Sequence, residues 1–304
     1  MPSAASRIGF SLAISTLFTP AVLGAQTSGT VGERAQGMGG AFVAVADDAS
    51  AIYWNPAGLA WPTGSTFDAQ VSVADDIFFF AAALPPLGLS YYRLPIVLTS
   101  GGRQNEGSGE VPIRTLMTNN VGVTLNQTVG KGLVIGTTLR VVRGGIDGAS
   151  GSTTFDADVG AMLTPTDFLR VGVTARNLRK PGFMSDLGQI SMDRQVRLGV
   201  ALVPRSLPTG VQGPFSLAFD ADLAQMPGAL GGRREASVGG EYWVAQGRLG
   251  MRAGMRWNTL EVSERAISGG LTAQLPHSVF VEGHVTKDDQ QDEVLWGLGA
   301  RLTF

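Results

Sequence analysis

The sequence contains no cysteine among its 304 residues, and its only histidines are His277 and His284. The absence of thiols excludes disulfides, thiolate metal sites and cysteine catalysis. Two histidines leave little material for a zinc site or a serine–histidine–aspartate triad. Charged residues make up only 16% of the chain and the formal net charge is −2, so no basic excess indicates nucleic acid. We therefore expect no cofactor, no metal and no nucleic-acid partner.

Long apolar runs are absent after the first 25 residues. Arg7 precedes the run IGFSLAISTLFTPAVLGA, and this order is typical of a secretion signal, with cleavage expected after Ala25. A retained membrane anchor is the alternative, but Ser, Thr and Pro20 interrupt the run. No later window holds about 18 unbroken apolar residues, so no spanning helix is predicted. The sequence predicts a signal peptide over 1–25.

Alternating apolar and polar residues dominate the chain from about residue 66. In the final segment, EVLWGLGARLTF, Val294, Trp296 and Leu298 share one face while Glu293 and Arg301 share the other. A period of two indicates a strand with one apolar and one polar side. The same pattern recurs in about fourteen segments: 66–73, 76–83, 87–94, 113–126, 132–143, 153–163, 168–177, 194–203, 214–223, 235–244, 248–257, 265–275, 278–286 and 293–304.

Strands of about ten residues in even number are typical of a transmembrane β-barrel. Short connections such as PPLG alternate with longer ones such as SGGRQNEGSGE, as such barrels require. A secreted soluble β-sandwich is the alternative, but almost every strand carries charge opposite its apolar face. The sequence predicts an all-β fold, an antiparallel transmembrane barrel of about 14 strands over 66–304. Five aromatic residues are expected in its interfacial girdles: Tyr91, Tyr92, Trp243, Trp257 and Trp296.

The lumen side of the predicted strands is rich in glycine and charge. Glycine within a strand often marks a close approach of other backbone, so we infer that a segment packs inside the barrel, and residues 26–65 are available. The glycines are Gly122, Gly136, Gly160, Gly172, Gly199, Gly239, Gly250, Gly254, Gly297 and Gly299. Pairing of arginine with carboxylate is the expected arrangement of the charges, with a cation site or an acid–base pair as alternatives. This lumen charge lattice comprises Arg140, Asp156, Asp158, Arg170, Arg176, Arg197, Asp220, Asp222, Glu241, Arg252, Arg256 and Arg301.

Residues 32–60 read GERAQGMGGAFVAVADDASAIYWNPAGLA. GMGGAF matches a dinucleotide-binding loop only in part, because no strand precedes it and Phe42 stands where the third glycine belongs. DDASAIYW predicts a short helix capped by Asp47 or Asp48, and Pro56 ends it by forcing Asn55 out of helical geometry. Small residues with apolar side chains between them suit a plug, and these side chains are Met38, Phe42, Ile52, Tyr53, Trp54 and Leu59.

The run AVADDASAIYWNPAGLA resembles the N-terminal hatch of the FadL/PorV superfamily of outer-membrane proteins, and its wording is closer to the PorV/PorQ-like branch. The terminal Phe304 is similar to the assembly signal of outer-membrane barrels. The resemblance implies a 14-stranded barrel closed by an N-terminal hatch over 26–65. The assigned hatch residues are Gly37, Gly39, Gly40, Phe42, Asp47, Asp48, Asn55, Pro56 and Ala57.

The resemblance implies two possible functions in the bacterial outer membrane. Fatty-acid members pass hydrophobic ligands by way of the hatch and release them through a gap in the wall, whereas PorV-like members serve protein secretion and surface attachment. The modest outer loops and charged lumen depart from the fatty-acid members. We expect passage of long-chain fatty acid-like molecules along the six apolar hatch residues, with Pro95 a candidate for a wall opening. The alternative is a secretion-associated or structural barrel without solute transport.

An enzyme is not expected, because no positioned nucleophile accompanies His284 near Asp288 and Asp289. Membrane lipids are the expected surroundings of the barrel. The expected partners are hydrophobic small molecules or secreted proteins, and the barrel is predicted to be monomeric.

Overall fold

The computed structural model describes most of the predicted barrel and of the segment before it. The predicted signal peptide lies outside the described residues except for 23–25, and 28–30 and 61–65 of the predicted hatch lie outside them too. The described ranges are 23–27, 31–60, 66–99, 113–146, 151–185, 188–204, 215–228, 231–260, 264–289 and 294–304.

Within these ranges the chain is almost entirely extended. No helix there is long and apolar enough to cross a bilayer. The strands are β1 (Leu23–Thr27), β2 (Asp68–Ala74), β3 (Ile77–Leu84), β4 (Leu87–Thr99), β5 (Ile113–Thr128), β6 (Leu133–Ile146), β7 (Ser152–Thr166), β8 (Leu169–Arg176), β9 (Gly182–Ser185), β10 (Gly188–Met192), β11 (Gln195–Leu202), β12 (Phe215–Asp222), β13 (Met226–Gly228), β14 (Gly231–Arg233), β15 (Glu235–Val244), β16 (Leu249–Asn258), β17 (Arg265–Leu275), β18 (Val279–Asp288) and β19 (Val294–Thr303).

Fourteen of these strands close into an antiparallel barrel: β2–β8, β11, β12 and β15–β19. The ring closes between β19 and β2, where Leu298 pairs with Val73 and Thr303 with Asp68. This confirms the predicted 14-strand barrel. The largest error in a strand end is five residues, at β4, which continues from 94 to Thr99.

The connections differ at the two ends of the barrel. We call the end with Pro85, Pro86 and the C-terminal Phe304 the turn end, and the opposite end, with the connections 100–112 and 177–194, the loop end. Two hairpins that the sequence did not predict lie within loop-end connections: β9 with β10, and β13 with β14. Strand β1 pairs with β4 and β10 at the same end.

The two faces of the barrel wall differ in polarity as predicted. Outward side chains are apolar and exposed, for example Leu125 at 53%, Leu271 at 59% and Trp296 at 54%. Inward side chains such as Asp220 and Thr272 are polar and buried. Contiguous apolar surface of this extent is unfavourable in water, and an apolar belt around a polar interior is the arrangement of a bilayer-spanning barrel.

Two of the aromatic girdle predictions are wrong. Tyr92 points inward, is 2% exposed and accepts a hydrogen bond from Nη1 of Arg140 at 2.8 Å. Trp243 also points inward, where its indole N–H donates to Glu241 at 2.9 Å. Neighbouring residues of a strand face opposite sides, so Tyr91 and Tyr92 cannot both reach lipid, and Trp243 shares the inward parity of Glu241.

Residues 31–60 lie inside the ring of strands, and all except Asp47 and Ala60 are buried. They form helix α1 (Glu33–Gly37), helix α2 (Ala51–Trp54) and a 3-10 turn over Pro56–Ala60. Asp48 accepts hydrogen bonds from the backbone N–H and hydroxyl of Ser50, which makes a local turn rather than the predicted helix cap. Asn55 is extended (φ −158°) before Pro56, as predicted, and ends α2.

Candidate functional site in the barrel lumen

Glycines of the barrel wall lie directly against residues 33–57. A Cβ built on Gly172 would lie 2.6 Å from the carbonyl oxygen of Val43, and one on Gly199 would lie 2.9 Å from the Cβ of Val43. Eight of the ten predicted lumen glycines face the segment in this way, whereas Gly122 and Gly250 face other side chains of the wall. We call the eight the glycine wall: Gly136, Gly160, Gly172, Gly199, Gly239, Gly254, Gly297 and Gly299.

Arg34 of α1 joins the segment to the wall by a buried ion-pair network. Its guanidinium donates to both carboxylate oxygens of Glu241, at 2.8 and 2.9 Å, and also contacts Asp47 and Asp48. Arg252 shares the Glu241 carboxylate at 2.6 Å, and Arg170 reaches Asp47 at 3.3 Å. The network therefore joins one arginine and two carboxylates of the segment to two arginines and one carboxylate of the wall, and these groups meet only when the segment is in place.

Burial and neighbouring charges shift the pKa values of this network in opposite directions. Burial by itself would lower the pKa of Arg34, but Asp47, Glu241 and Asp48 raise it well above its ordinary value. Burial would raise the pKa of Asp48, but Arg34, Arg301 and the Ser50 hydroxyl hold it below the ordinary range. Both groups therefore stay charged, and each depends on the other inside the barrel.

Backbone groups of the segment are also held by wall residues. One carboxylate oxygen of Asp220 accepts from the N–H groups of Phe42 and Val43 at 2.7 and 2.8 Å. Asp68 accepts from the N–H of Ala49 at 2.8 Å. The Asn55 amide donates to carbonyl oxygens of Val43 and of Ala161 in β7.

His284 does not face an acid of its own connection. Its Nδ1 lies 2.5 Å from Oε2 of Glu33 in α1. Sequence reasoning placed it near Asp288 and Asp289 and did not anticipate Glu33. No group of three or more His, Asp or Glu residues suited to a metal ion occurs in the part of the chain that the structure describes.

The remaining charges of the predicted lattice form three groups within the wall. Arg140 pairs with Asp156 and Asp158. Arg197 pairs with Asp222, Asp220 and Glu235, and Arg301 with Asp68 and Glu282. Arg176 and Arg256 are the two predicted members outside these groups, and the guanidinium of Arg176 stacks on the ring of Tyr53 at 3.6 Å. Arg256 lines a small outer depression beside Glu235.

One sector of the lumen is apolar, contrary to the expectation of a charged lumen throughout. Strands β3 and β4 present inward side chains that form one buried cluster with the six apolar residues of the predicted hatch. Tyr53 stands edge-on to Tyr92 with ring centroids 5.5 Å apart, and also edge-on to Trp54. We call the β3–β4 members the apolar wall: Phe79, Ala81, Ala83, Tyr92 and Leu94.

Further apolar clusters lie beyond both ends of this one. Toward the loop end, Ile96 follows Leu94 on the inward face of β4 and joins a cluster capped by hairpin β9–β10: Ile96, Leu116, Val142, Phe183, Ile190 and Met192. Toward the turn end, Ala57 packs with Val134 and Met162. A groove of about 820 Å³ opens beside this last cluster, lined by Ala60, Pro85, Pro86, Leu125, Asn126, Gln127, Thr128, Val129, Ile135 and Thr137.

The predicted site residues therefore occupy two distinct surroundings. Gly37, Gly39, Asn55 and Pro56 lie against wall glycines, while Gly40 lies against the Trp54 ring. The predicted path residues are 0–5% exposed, so they form a packed cluster. Sequence reasoning missed Arg34 and Glu33, although an Arg–Glu pair just ahead of a glycine-rich run inside an apolar lumen segment was a usable signal.

Comparison with solved structures identifies this architecture. The chain is similar to a FadL homologue of Pseudomonas aeruginosa, at TM-score 0.63 and 12% identity over 92% of this chain and 100% of that one. It is also similar to the toluene transporter TbuX of Ralstonia pickettii, at TM-score 0.59 and 12% identity over 90% of this chain and 98% of that one. A third similar structure is the toluene transporter TodX of Pseudomonas putida, at TM-score 0.52 and 10% identity over 88% of this chain and 95% of that one.

No protein-family model and no curated protein sequence matches the chain. At 10–12% identity the structural likeness establishes the fold and leaves the PorV-like branch a prediction. The chain has the fold of the FadL-type outer-membrane barrels.

Proposed function

We propose that the chain is a bacterial outer-membrane barrel that passes hydrophobic small molecules, of the long-chain fatty acid type, toward the periplasm. In this proposal 1–25 is the signal peptide, 26–65 the hatch and 66–304 the barrel, with the loop end outside the cell. The proteins with the same fold are described as toluene transporters and a FadL homologue, which supports an apolar cargo.

The observation that carries the proposal is the series of apolar clusters along the barrel axis. An apolar strip runs down the inward face of β4 from Ile96 through Leu94 to Tyr92, and joins the loop-end cluster to the hatch cluster. The cluster of Ala57 with Val134 and Met162 continues it to the turn end. Apolar solutes partition favourably into such surroundings, whereas the charged remainder of the lumen disfavours them.

The hatch closes this route, and its attachment indicates how the route would open. On the glycine wall the segment is held by buried charges and close backbone contacts, while on the apolar wall it is held by side-chain packing. An apolar solute can replace apolar side chains at low cost but cannot replace ion pairs. In this proposal the solute therefore passes between α2 and the apolar wall while α1 stays fixed.

The test is uptake of radiolabelled oleate and toluene by cells that express the chain and lack other such channels. Leu94→Asn introduces a polar group of similar size into the apolar strip, and uptake should fall at least about tenfold because the amide must be desolvated. Thr286→Asn, on the inward face of β18, is the matched control and should leave uptake unchanged. Uptake by the wild type no greater than by empty cells would refute transport.

A secretion-associated or structural barrel is the second candidate. The nearly complete burial of residues 31–60 favours it, because a permanently closed lumen suits a barrel that acts through its surface. On this alternative neither oleate nor toluene enters, and secretion partners co-purify with the full chain. Neither proposal contains a catalytic step.

A further inference from the structure

The two faces of the described barrel wall differ in charge, because the lumen face carries both signs and the outward face carries only basic residues. Among strand residues whose side chains the structure describes, the outward-facing charged ones are all basic and exposed: Arg93, Arg143, Arg265 and Lys287. None of the four forms an ion pair with another described residue. The acidic residues of these strands point into the lumen, where arginines pair with most of them. The outward face therefore attracts anions and offers no acidic side chain that would repel them.

Two of the basic residues belong to one row across four strands. The register places Arg93 of β4 opposite Asn119 of β5, Asn119 opposite Arg143 of β6, and Arg143 opposite Thr153 of β7. Neighbouring strands lie about 4.8 Å apart, so the two arginines are about 10 Å apart. Each member of the row carries a hydrogen-bond donor, and all four face the outside of the barrel.

Asn119 is oriented by a neighbour. The Tyr91 hydroxyl donates to the side-chain oxygen of Asn119 at 2.9 Å. Because the oxygen is engaged, the amide N–H groups are the end of the side chain that can donate to a ligand, and the register places Asn119 between Arg93 and Arg143. Guanidinium groups bind phosphate through two parallel hydrogen bonds, and the neighbouring amide adds an uncharged donor.

The row lies at the border of the lipid-facing belt. The next outward row toward the turn end is apolar and aromatic, with Tyr91, Val121, Val141 and Phe155 in register. From Leu133, the first outward-facing residue at the turn end of β6, to Arg143 the strand rises about 33 Å, or about 25 Å along the barrel axis at a tilt near 40°. An apolar belt is about 25 Å tall, so the arginines reach the head-group level of the loop-end leaflet.

We propose that Arg93, Asn119 and Arg143 form a binding site for the phosphate groups of a lipopolysaccharide-type lipid of the outer leaflet. Its acyl chains lie along Tyr91, Val121, Val141 and Phe155, and its phosphates contact the row above. Arg265 and Lys287, on neighbouring strands at the loop end, give the far wall the same charge. The inference rests on the proposed membrane location and orientation, and not on transport.

Native mass spectrometry of the full chain in detergent tests the site, with diphosphoryl lipid A, monophosphoryl lipid A and phosphatidylethanolamine as probes. We expect affinity to fall in that order. Arg93→Gln/Arg143→Gln should weaken diphosphoryl lipid A binding on the order of 10- to 30-fold, the effect of two interfacial charges. Lys131→Gln/Arg248→Gln removes the same charge at the turn end and should change binding by less than about twofold.

Two further variants distinguish specific phosphate binding from nonspecific charge attraction and from misfolding. Arg93→Lys/Arg143→Lys keeps the charge and loses the bidentate geometry, so binding should fall by less than in the glutamine variant. Asn119→Ala leaves both charges, and should still lower affinity. Equal binding of the three lipids by the wild type, or equal losses in the row variant and the Lys131/Arg248 control, would overturn the proposal. Oleate uptake, measured in parallel, should be unaffected, so failure of transport and failure of this site are distinguishable.

Discussion

The glycine wall and the apolar wall hold the same segment by different physical means. At four members of the glycine wall, Gly136, Gly172, Gly239 and Gly254, the segment contributes backbone. The nearest atoms to a Cβ on Gly254 belong to the main chain of Met38 and Gly39. Against the apolar wall it contributes side chains, and the nearest atoms to a Cβ on Gly88 are the tips of Leu59 and Ile52. Backbone contacts tolerate no displacement, whereas side-chain tips can change rotamer.

Charge reinforces the difference between the walls. Glu241, Asp220 and Arg252 anchor the first half of the segment, through Arg34 and the amides of Phe42 and Val43. Helix α2, which packs on the apolar wall, has no charged side chain. Under the proposed function, the segment therefore has a fixed half and a half that an apolar solute displaces.

The largest expected effect is loss of the buried network on the fixed half. Arg34→Met leaves Glu241, Asp47 and Asp48 with less compensating charge, and breaking one partner of a buried pair costs about 3–5 kcal/mol. We expect an equivalent loss in the free energy of unfolding in detergent, together with new protease cleavage within residues 31–60.

Two controls define that result. Arg248→Met removes an exposed arginine at the turn end and should cost less than about 0.5 kcal/mol. The double variant Arg34→Met/Glu241→Met should lose less free energy of unfolding than the two single variants together. In the double variant, neither member of the Arg34–Glu241 pair remains buried without the other. Equal losses in the free energy of unfolding for Arg34→Met and Arg248→Met would show that the charge network does not fix the segment.

An intermediate loss of stability is expected when a methyl group is added to a glycine on either wall. The two losses compare the walls directly. Gly239→Ala directs a Cβ into the backbone of Met38, and overpacking of this kind costs about 1–3 kcal/mol. Gly88→Ala meets only flexible side-chain tips and should cost less than about 1 kcal/mol. Thermal unfolding of the two variants in the same detergent measures the difference.

The outward-facing Gly240 is the matched control for this pair. It neighbours Gly239 in β15, and the nearest atom to a Cβ there is 3.6 Å away. Gly240→Ala should leave stability unchanged. Equal destabilisation by Gly239→Ala and Gly240→Ala would mean that strand propensity, and not the contact with Met38, causes the effect.

The barrel could be predicted because its signal is repeated in every strand. The alternation in β15 and β17 gave both ends of each strand correctly, since a residue on the wrong face meets either lipid or the lumen. The glycine positions predicted a close neighbour for the same reason, because only backbone packing makes Gly172 or Gly254 necessary.

Pairing within the lumen could not be predicted, because it joins residues far apart in the chain. Arg34 and Glu241 are separated by 207 positions, and Glu33 and His284 by 251. Local patterns carry no information about such partners. The inward position of Tyr92 could not be predicted for a different reason. Either tyrosine of the pair Tyr91–Tyr92 could face the lumen, and the choice depends on Arg140, two strands away.

The smallest expected effect concerns the displaceable half of the segment. Ile52→Val removes one methyl group from the contact with the apolar wall, and such a change in a buried site costs about 0.5–1.5 kcal/mol. We expect a small loss in the free energy of unfolding and a rise in oleate uptake, because the solute displaces a weaker contact. Ile267→Val makes the same chemical change on the lipid face, where Ile267 is 62% exposed, and should alter neither quantity. A rise in uptake after Val43→Ala, on the glycine wall, equal to that after Ile52→Val would show that the two halves of the segment move together.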